Sequence, residues 1–191
     1  MSKCVAICPI GFVEEDILDH IAECIKKRCG LDCRISSRME NPTYAYDETR
    51  HQYNSKVILK HLLQCCPHDT LSFMGVTRVD LFVPILKYVF GLAQIKGKCS
   101  LISLYRLLPQ FYNQPPNRDL LMTRIEKTAL HELGHCLGLT HCRDRRCVMH
   151  SSTRIEDTDF KQPEFCPTCF ELFKWRLEKL SREGNYLMPK L

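Results

Sequence analysis

The sequence predicts an α/β fold: a mixed, mostly parallel sheet with an antiparallel edge strand and helices packed against it. Three observations lead there. Through the first hundred residues, short apolar runs alternate with runs of helical periodicity, the pattern of parallel strands joined by helical crossovers. Two later apolar runs flank Lys96-Gly97-Lys98, a hairpin signal that supplies the antiparallel edge. A long helical pattern then follows a proline-marked break at Pro115-Pro116. With 191 residues, 45% of them hydrophobic and 26% charged, the chain suits one globular domain that buries about 70% of its unfolded surface. That composition excludes wholesale disorder and fibrous structure.

Each element has its own signature. Residues 3–10 form an apolar run read as a buried strand. Residues 14–29 carry Ile17, Leu18, Ile21 and Ile25 at helical spacing. Acidic residues open this helix, Lys26-Lys27-Arg28 close it in keeping with its dipole, and Gly30 stops it. A second strand is expected over 31–37, and the polar stretch 37–52, with Asn41-Pro42, reads as a loop. Val57, Leu59, Leu62 and Leu63 mark a second helix ending near Pro67. Residues 71–77 read as a strand followed by a turn at Asp80, and residues 88–95 and 99–107 as the two arms of the hairpin. After a linker at 110–117, Asn117 caps a helix whose apolar face includes Leu121, Ile125, Ala129, Leu133 and Leu137. Residues 169–183 place Phe170, Phe173, Trp175, Leu177 and Leu180 among charges, an amphipathic helix docking on the main body.

Charge and cysteine content narrow the function. Lys and Arg number 27 against 22 Asp and Glu, a net charge of +5, too weak a balance to indicate nucleic-acid binding by itself. The N-terminus lacks the cleavage site of a signal peptide, and the apolar stretch 81–93, broken by Pro84 and Lys87, is too short to span a bilayer. A cytoplasmic location is therefore expected, with no membrane partner. There the 13 cysteines, an odd number, stay reduced, and clustered ones hold metal more readily than they form disulfides.

The chemistry lies in residues 131–141, His131-Glu132-Leu133-Gly134-His135-Cys136-Leu137-Gly138-Leu139-Thr140-His141. On a helix His131 and His135 are about one turn apart and face one ion, while Glu132 is rotated by about 100° and is free to reach a water instead of the metal. Gly138 stops the helix in a sharp turn that can return His141 as a third nitrogen ligand. Three histidines and an open position describe a catalytic zinc, with Glu132 as general base for peptide hydrolysis. A second set follows at once: Cys142-x4-Cys147, then Cys166-Pro167-Thr168-Cys169. Four thiolates leave no vacancy, so this second zinc is structural and contributes on the order of 10 kcal/mol to folding a segment poor in apolar residues. Two alternatives stand beside this reading. One is a zinc-ribbon-like binding module for nucleic acid or protein with an idle histidine site; the other is a distant Glu156 or Glu164 in place of His141.

The run of H-E-x-x-H-x-x-G-x-x-H into C-x4-C-x-M, with C-x2-C beyond, resembles the archaemetzincins, a family of the metzincin clan of zinc peptidases. The resemblance implies a compact metzincin-like fold in one catalytic domain over 1–191. Within it, residues 1–138 form an upper part with sheet and active-site helix. Residues 139–191 form a small zinc-stapled lower part with the methionine turn, the Cys4 zinc and the C-terminal helix. It implies two zinc ions: a catalytic one on His131, His135 and His141 and a structural one on Cys142, Cys147, Cys166 and Cys169. Met149 would pack beneath the first as a soft floor without ligating it. The partner implied is a peptide or protein substrate, aligned by backbone pairing along the edge strand at residues 88–93, and the chain is expected to act as a monomer. Unlike some metzincins, this chain has Ser151 and not tyrosine two residues after the methionine. That leaves His150 as the candidate oxyanion stabiliser. The remaining cysteines, Cys24, Cys29 and Cys33 among them, read as buried free thiols and not as cluster ligands. Arg143, Arg145 and Arg146 read as a solvated loop.

Overall fold

The computed structural model describes residues 4–183, so the expected strand start at Lys3 and both chain ends lie outside the described residues. Strand β1 (Cys4–Ile10) is buried along its whole length. Helix α1 (Glu15–Cys29) opens with Glu15 and Asp16, closes with Lys26, Lys27 and Arg28, and ends at a left-handed Gly30 whose N–H bonds the Lys26 carbonyl. Next come β2 (Asp32–Ile35), a 3-10 turn at Thr43–Ala45, and the short strands β3 (Tyr46–Asp47) and β4 (Gln52–Asn54). Helix α2 (Ser55–Gln64) is capped by the Asn54 side chain, which accepts the Lys56 N–H. Then follow β5 (Ser72–Thr77), β6 (Leu81–Phe82), β7 (Gly91–Ala93) and β8 (Cys99–Ser103). The remaining helices are α3 (Arg118–Cys136), α4 (Ile155–Phe160) and α5 (Pro167–Glu183).

The main sheet has the order β2-β1-β5-β8-β7. All its pairings are parallel except β7 with β8, which is antiparallel and lies at the edge. This is the mostly parallel sheet with an antiparallel edge that the sequence predicts. Side chains alternate across it because successive Cβ atoms point to opposite faces. Val5, Ile7, Met74, Val76 and Ile102 pack on the face covered by α1 and α3, against Ile17, Ile21, Ile125 and Leu133. Ala6, Cys8, Ile10, Phe73 and Leu101 pack on the other, against Ile58, Leu59 and Leu62 of α2. Burial on both faces explains why β1 is apolar throughout instead of alternating. Among the described residues no helix is long and apolar enough to cross a membrane.

The structure departs from the sequence reading in its short elements. The hairpin arm expected over 88–95 is ordered as strand only at Gly91–Ala93. The arm expected over 99–107 stops at Ser103, where the Tyr105 N–H turns to the Ser103 hydroxyl and a 3-10 turn, Tyr105–Leu107, takes over. A second 3-10 turn, Pro109–Tyr112, occupies the start of the expected linker. The supposed loop at 37–52 contributes β3 and part of β4, which join β6 in a separate three-stranded sheet. Strands of two or three residues are too short to carry a period, and this sheet had no signal to read. Helix α5 begins at Pro167 instead of 169; a proline in the first helical turn lacks only an N–H that would have had no partner.

Candidate active site

Helix α3 positions the first set of residues. The Asn117 side chain caps it by accepting the Leu120 N–H at 3.0 Å, and residues 127–136 are buried without exception. His131 and His135 project from one face with ring centroids 4.6 Å apart and Nε2 atoms 3.1 Å apart. Each Nδ1 donates to a carbonyl at 2.8 Å: His131 to Val148 and His135 to Leu139. A carbonyl can only accept, so the proton sits on Nδ1 and each Nε2 lone pair is free for a metal. Gly138 ends the helix at φ 88°, with its N–H on the His135 carbonyl and the Leu139 N–H on the Gly134 carbonyl. That turn delivers both the Leu139 carbonyl and the ring of His141, which stands 5.0 Å from His135 and 5.3 Å from His131.

The ligand atoms of the three histidines lie within 4.8 Å of one another. Tetrahedral zinc–nitrogen bonds of about 2.0–2.1 Å require nitrogens about 3.3 Å apart, which the 3.1 Å separation of the helical pair approaches. Burial, followed by the Lys161 ammonium and the His135 ring, holds His131 well below the usual imidazole range. Burial does the same, less strongly, for His135 and His141. All three are thus kept in the neutral form that ligates. Neither Glu156 nor Glu164 joins this group; Glu164 pairs with Arg28 at 2.8 Å.

Glu132 is 6% exposed, and burial pushes its carboxyl up to about 8 against the pull of Lys161. It stands directly behind the edge strand: a Cβ on Gly91 would lie 2.6 Å from Glu132 Oε1. Met149 is fully buried under the other side of the helix, where a Cβ at Gly134 would collide with its sulfur. Glycine at 134 is what lets the methionine sit between the turns that carry His131 and His135.

The four expected cysteines also come together, with their sulfurs within 4.8 Å of one another. Cys142 and Cys166 Sγ are 3.8 Å apart, far beyond the S–S bond of about 2.05 Å. Zinc–sulfur bonds of about 2.3 Å place tetrahedral sulfurs about 3.8 Å apart. Burial pushes the Cys147 thiol up, and against it Cys147 Sγ accepts the N–H groups of Met149 and Cys166 at 3.4 and 3.3 Å, bonds that favour thiolate. Three consecutive residues therefore serve three purposes: Cys147 joins the sulfurs, Val148 orients His131, and Met149 packs under Gly134.

A cavity of about 590 Å³ opens over the histidines. Residues 86–93 form one wall, α3 the floor, and Ser151, Ser152, Thr153, Thr158 and Lys161 the opposite wall. Tyr88 bridges the walls by donating its hydroxyl hydrogen to the Thr153 carbonyl at 3.1 Å. His150 is absent from the lining; its Nδ1 turns to the Cys142 carbonyl at 2.9 Å. Two lysines line the cavity, the exposed Lys87 and the buried Lys161, only 2% exposed. A single lysine following a six-residue helix leaves no pattern in sequence, and only the fold reveals it. Elsewhere His20, Cys24 and Glu126 also cluster, but Glu126 is taken by Arg28 and His20 Nε2 by the Met122 carbonyl. Cys24, Cys29 and Cys33 form no three-thiol group among the described residues.

The sequence model of peptidase family M54 matches residues 11–175. The archaemetzincin of Methanocaldococcus jannaschii is 42% identical over 183 residues, covering 96% of this chain and 96% of that protein. Among solved structures, the archaemetzincin of Methanopyrus kandleri matches with a TM-score of 0.82 at 30% identity, covering 93% of this chain and 96% of that one. That of Archaeoglobus fulgidus, solved as a complex with malonate, matches with a TM-score of 0.77 at 28% identity, covering 88% and 99%.

Proposed function

Since the chain belongs to peptidase family M54, the archaemetzincins, and is a zinc metallopeptidase acting on peptides or proteins, we propose that His131, His135 and His141 hold its catalytic zinc and that Glu132 is the general base. The observation that carries this reading is the pair of Nδ1–carbonyl bonds that leave Nε2 of both helical histidines bare beside a buried carboxyl. Zinc held there supplies Lewis acidity towards the scissile carbonyl and makes water acidic enough to attack at neutral pH. Glu132 takes the proton of that attacking water on a carboxylate oxygen and hands it to the leaving amine nitrogen. Its burial favours the protonated carboxyl it becomes between those two transfers. The edge strand β7, paired on one side only, aligns the substrate backbone beside Glu132.

Cys142, Cys147, Cys166 and Cys169 hold a second, structural zinc. The 3.8 Å sulfur separation supports it, as do the N–H bonds onto Cys147. It braces the catalytic site through Val148 and Met149, and is no independent ribbon.

Elemental analysis of wild type, His135→Ala and Glu132→Ala, with mass-spectrometric mapping of new termini in a digested peptide library, tests the assignment. Two zincs in wild type, one in His135→Ala, and two with no cleavage in Glu132→Ala are expected. Full cleavage by Glu132→Ala would remove it as the base, and undiminished zinc in His135→Ala would remove the histidine site.

A further inference from the structure

We infer that the active-site cavity is built to receive a carboxylate of the substrate, with Lys161 as the specificity-determining cation and Ser152 as a hydroxyl donor in the same lining. This rests on the peptidase reading and names the class of substrate for the same site. Buried cations in this part of the molecule are otherwise matched. Arg124, 1% exposed, makes two bonds to the Asp159 carboxylate, and Lys127 donates to the carbonyls of Thr158 and Asp159. Lys161, buried as deeply, reaches one carbonyl, that of His150 at 3.1 Å. His131 Nδ1, 3.5 Å away, already donates its proton to Val148 and offers the ammonium no lone pair.

The second observation is independent of the first. Ser152 Oγ is buried and has no hydrogen-bond partner, and Ser152 lines the same wall. An ammonium with no carboxylate in contact among the described residues, Glu132 acting on it only through space, and a hydroxyl without a partner are both deficits that one anion relieves. A carboxylate suits them, having two oxygens that only accept. Glu132 is the sole acidic residue lining the cavity among the described residues, and it is committed to proton transfer, so the anion must come from the substrate. In a peptide it comes from an aspartyl or glutamyl side chain next to the scissile bond or from the C-terminal carboxylate.

Isothermal calorimetry on the zinc-loaded full chain tests this without turnover, using three peptidyl hydroxamates that differ only in charge. One carries a glutamyl side chain and an amidated C-terminus, the second a glutaminyl side chain and an amidated C-terminus, and the third a glutaminyl side chain with a free C-terminal carboxylate. One of the two anionic compounds should bind about tenfold or more tightly than the neutral one, and which one it is identifies the source of the carboxylate. The preference, read as the ratio of the affinities within each protein, should fall to within about twofold in Lys161→Met and drop several-fold in Ser152→Ala. Loss of packing alone would weaken all compounds together and leave the ratio unchanged. Equal binding of the three compounds to wild type, or a preference that survives in Lys161→Met, would overturn the inference and leave the peptidase reading intact. Failure of all three to bind would overturn both.

Discussion

The sheet and the segment from residue 142 to 169 are held together by different physics. The sheet buries two apolar faces, one under α1 and α3 and the other under α2. In the cysteine-rich segment the buried apolar residues are few: Cys147, Val148, Met149 and Ile155. Phe165 packs against the same core, and polar anchors add to it, namely Asp159 on Arg124 and the carbonyls of Thr158 and Asp159 on Lys127. The three histidines proposed to hold the catalytic zinc lie at the seam. Two stand on a helix locked into the core, and one of those is oriented by the Val148 carbonyl from the other side. The site thus requires the segment after α3 to be in place against the core.

The largest expected effect separates the two regions outright. Cys166→Ala removes one of four sulfurs and with it most of a metal contribution of about 10 kcal/mol. Zinc should fall from two per chain to none, because the Val148 carbonyl and Met149 leave the histidines when their segment unfolds. Limited proteolysis should then cut between residues 143 and 165 while the sheet persists by circular dichroism. A variant that kept its histidine zinc and resisted cleavage there would show that the segment folds without the sulfurs.

A core substitution should do the reverse. Ile7, fully buried on the α1–α3 face, loses contacts on truncation that cost about 3 kcal/mol. For a chain of this size that lowers Tm by about 10 °C. Ile7→Ala should still carry two zincs per folded chain, as read by elemental analysis at 20 °C. Loss of zinc from the folded fraction would join the two regions into one cooperative unit. Smaller again is Arg124→Met, which breaks the polar tie between α3 and Asp159. Asp159 is about one-third exposed and can turn to water, so the cost is about 2 kcal/mol instead of the larger figure for a fully buried pair. Hydrogen exchange should rise at residues 155–161 before it rises in β1 or β5.

The same contrast explains what was readable in the sequence. The longer elements follow from local signals: a seven-residue apolar run for β1, acidic and basic ends for α1, an asparagine cap for α3. The two clusters of proposed metal ligands were legible because coordination demands fixed residue types at fixed spacing, His131 to His135 and Cys166 to Cys169. The small sheet of β3, β4 and β6 was not, since two-residue strands carry no periodicity. Lys161 and Ser152 were hidden for a different reason. The burial of the Lys161 side chain and of the Ser152 hydroxyl arises only when the segment after Met149 closes over α3, a tertiary event that leaves no trace near either residue in the chain.

Gly134→Ala probes the seam itself and has the smallest expected effect on stability. In a free helix, alanine in place of glycine gains about 1 kcal/mol. Here the new methyl would collide with the Met149 sulfur and come within 3.3 Å of the Phe165 ring, and Met149 has no exposed surface along which to retreat. Overpacking of this kind costs about 1–3 kcal/mol, so the net loss is about 1 kcal/mol and Tm moves by only about 3 °C. The consequence for the site is larger than that figure suggests. Displacing Met149 moves the adjoining Val148 carbonyl, the acceptor that holds the His131 ring in its ligating tautomer. Loss of such an outer partner weakens metal binding by about 10–100-fold. Titration with a competing chelator should therefore strip the histidine zinc from Gly134→Ala at a markedly lower chelator concentration than from wild type, with the cysteine zinc retained equally in both. Equal retention of both zincs would mean that the methionine floor can shift without carrying Val148 along, and that the two regions are coupled through the cysteines alone.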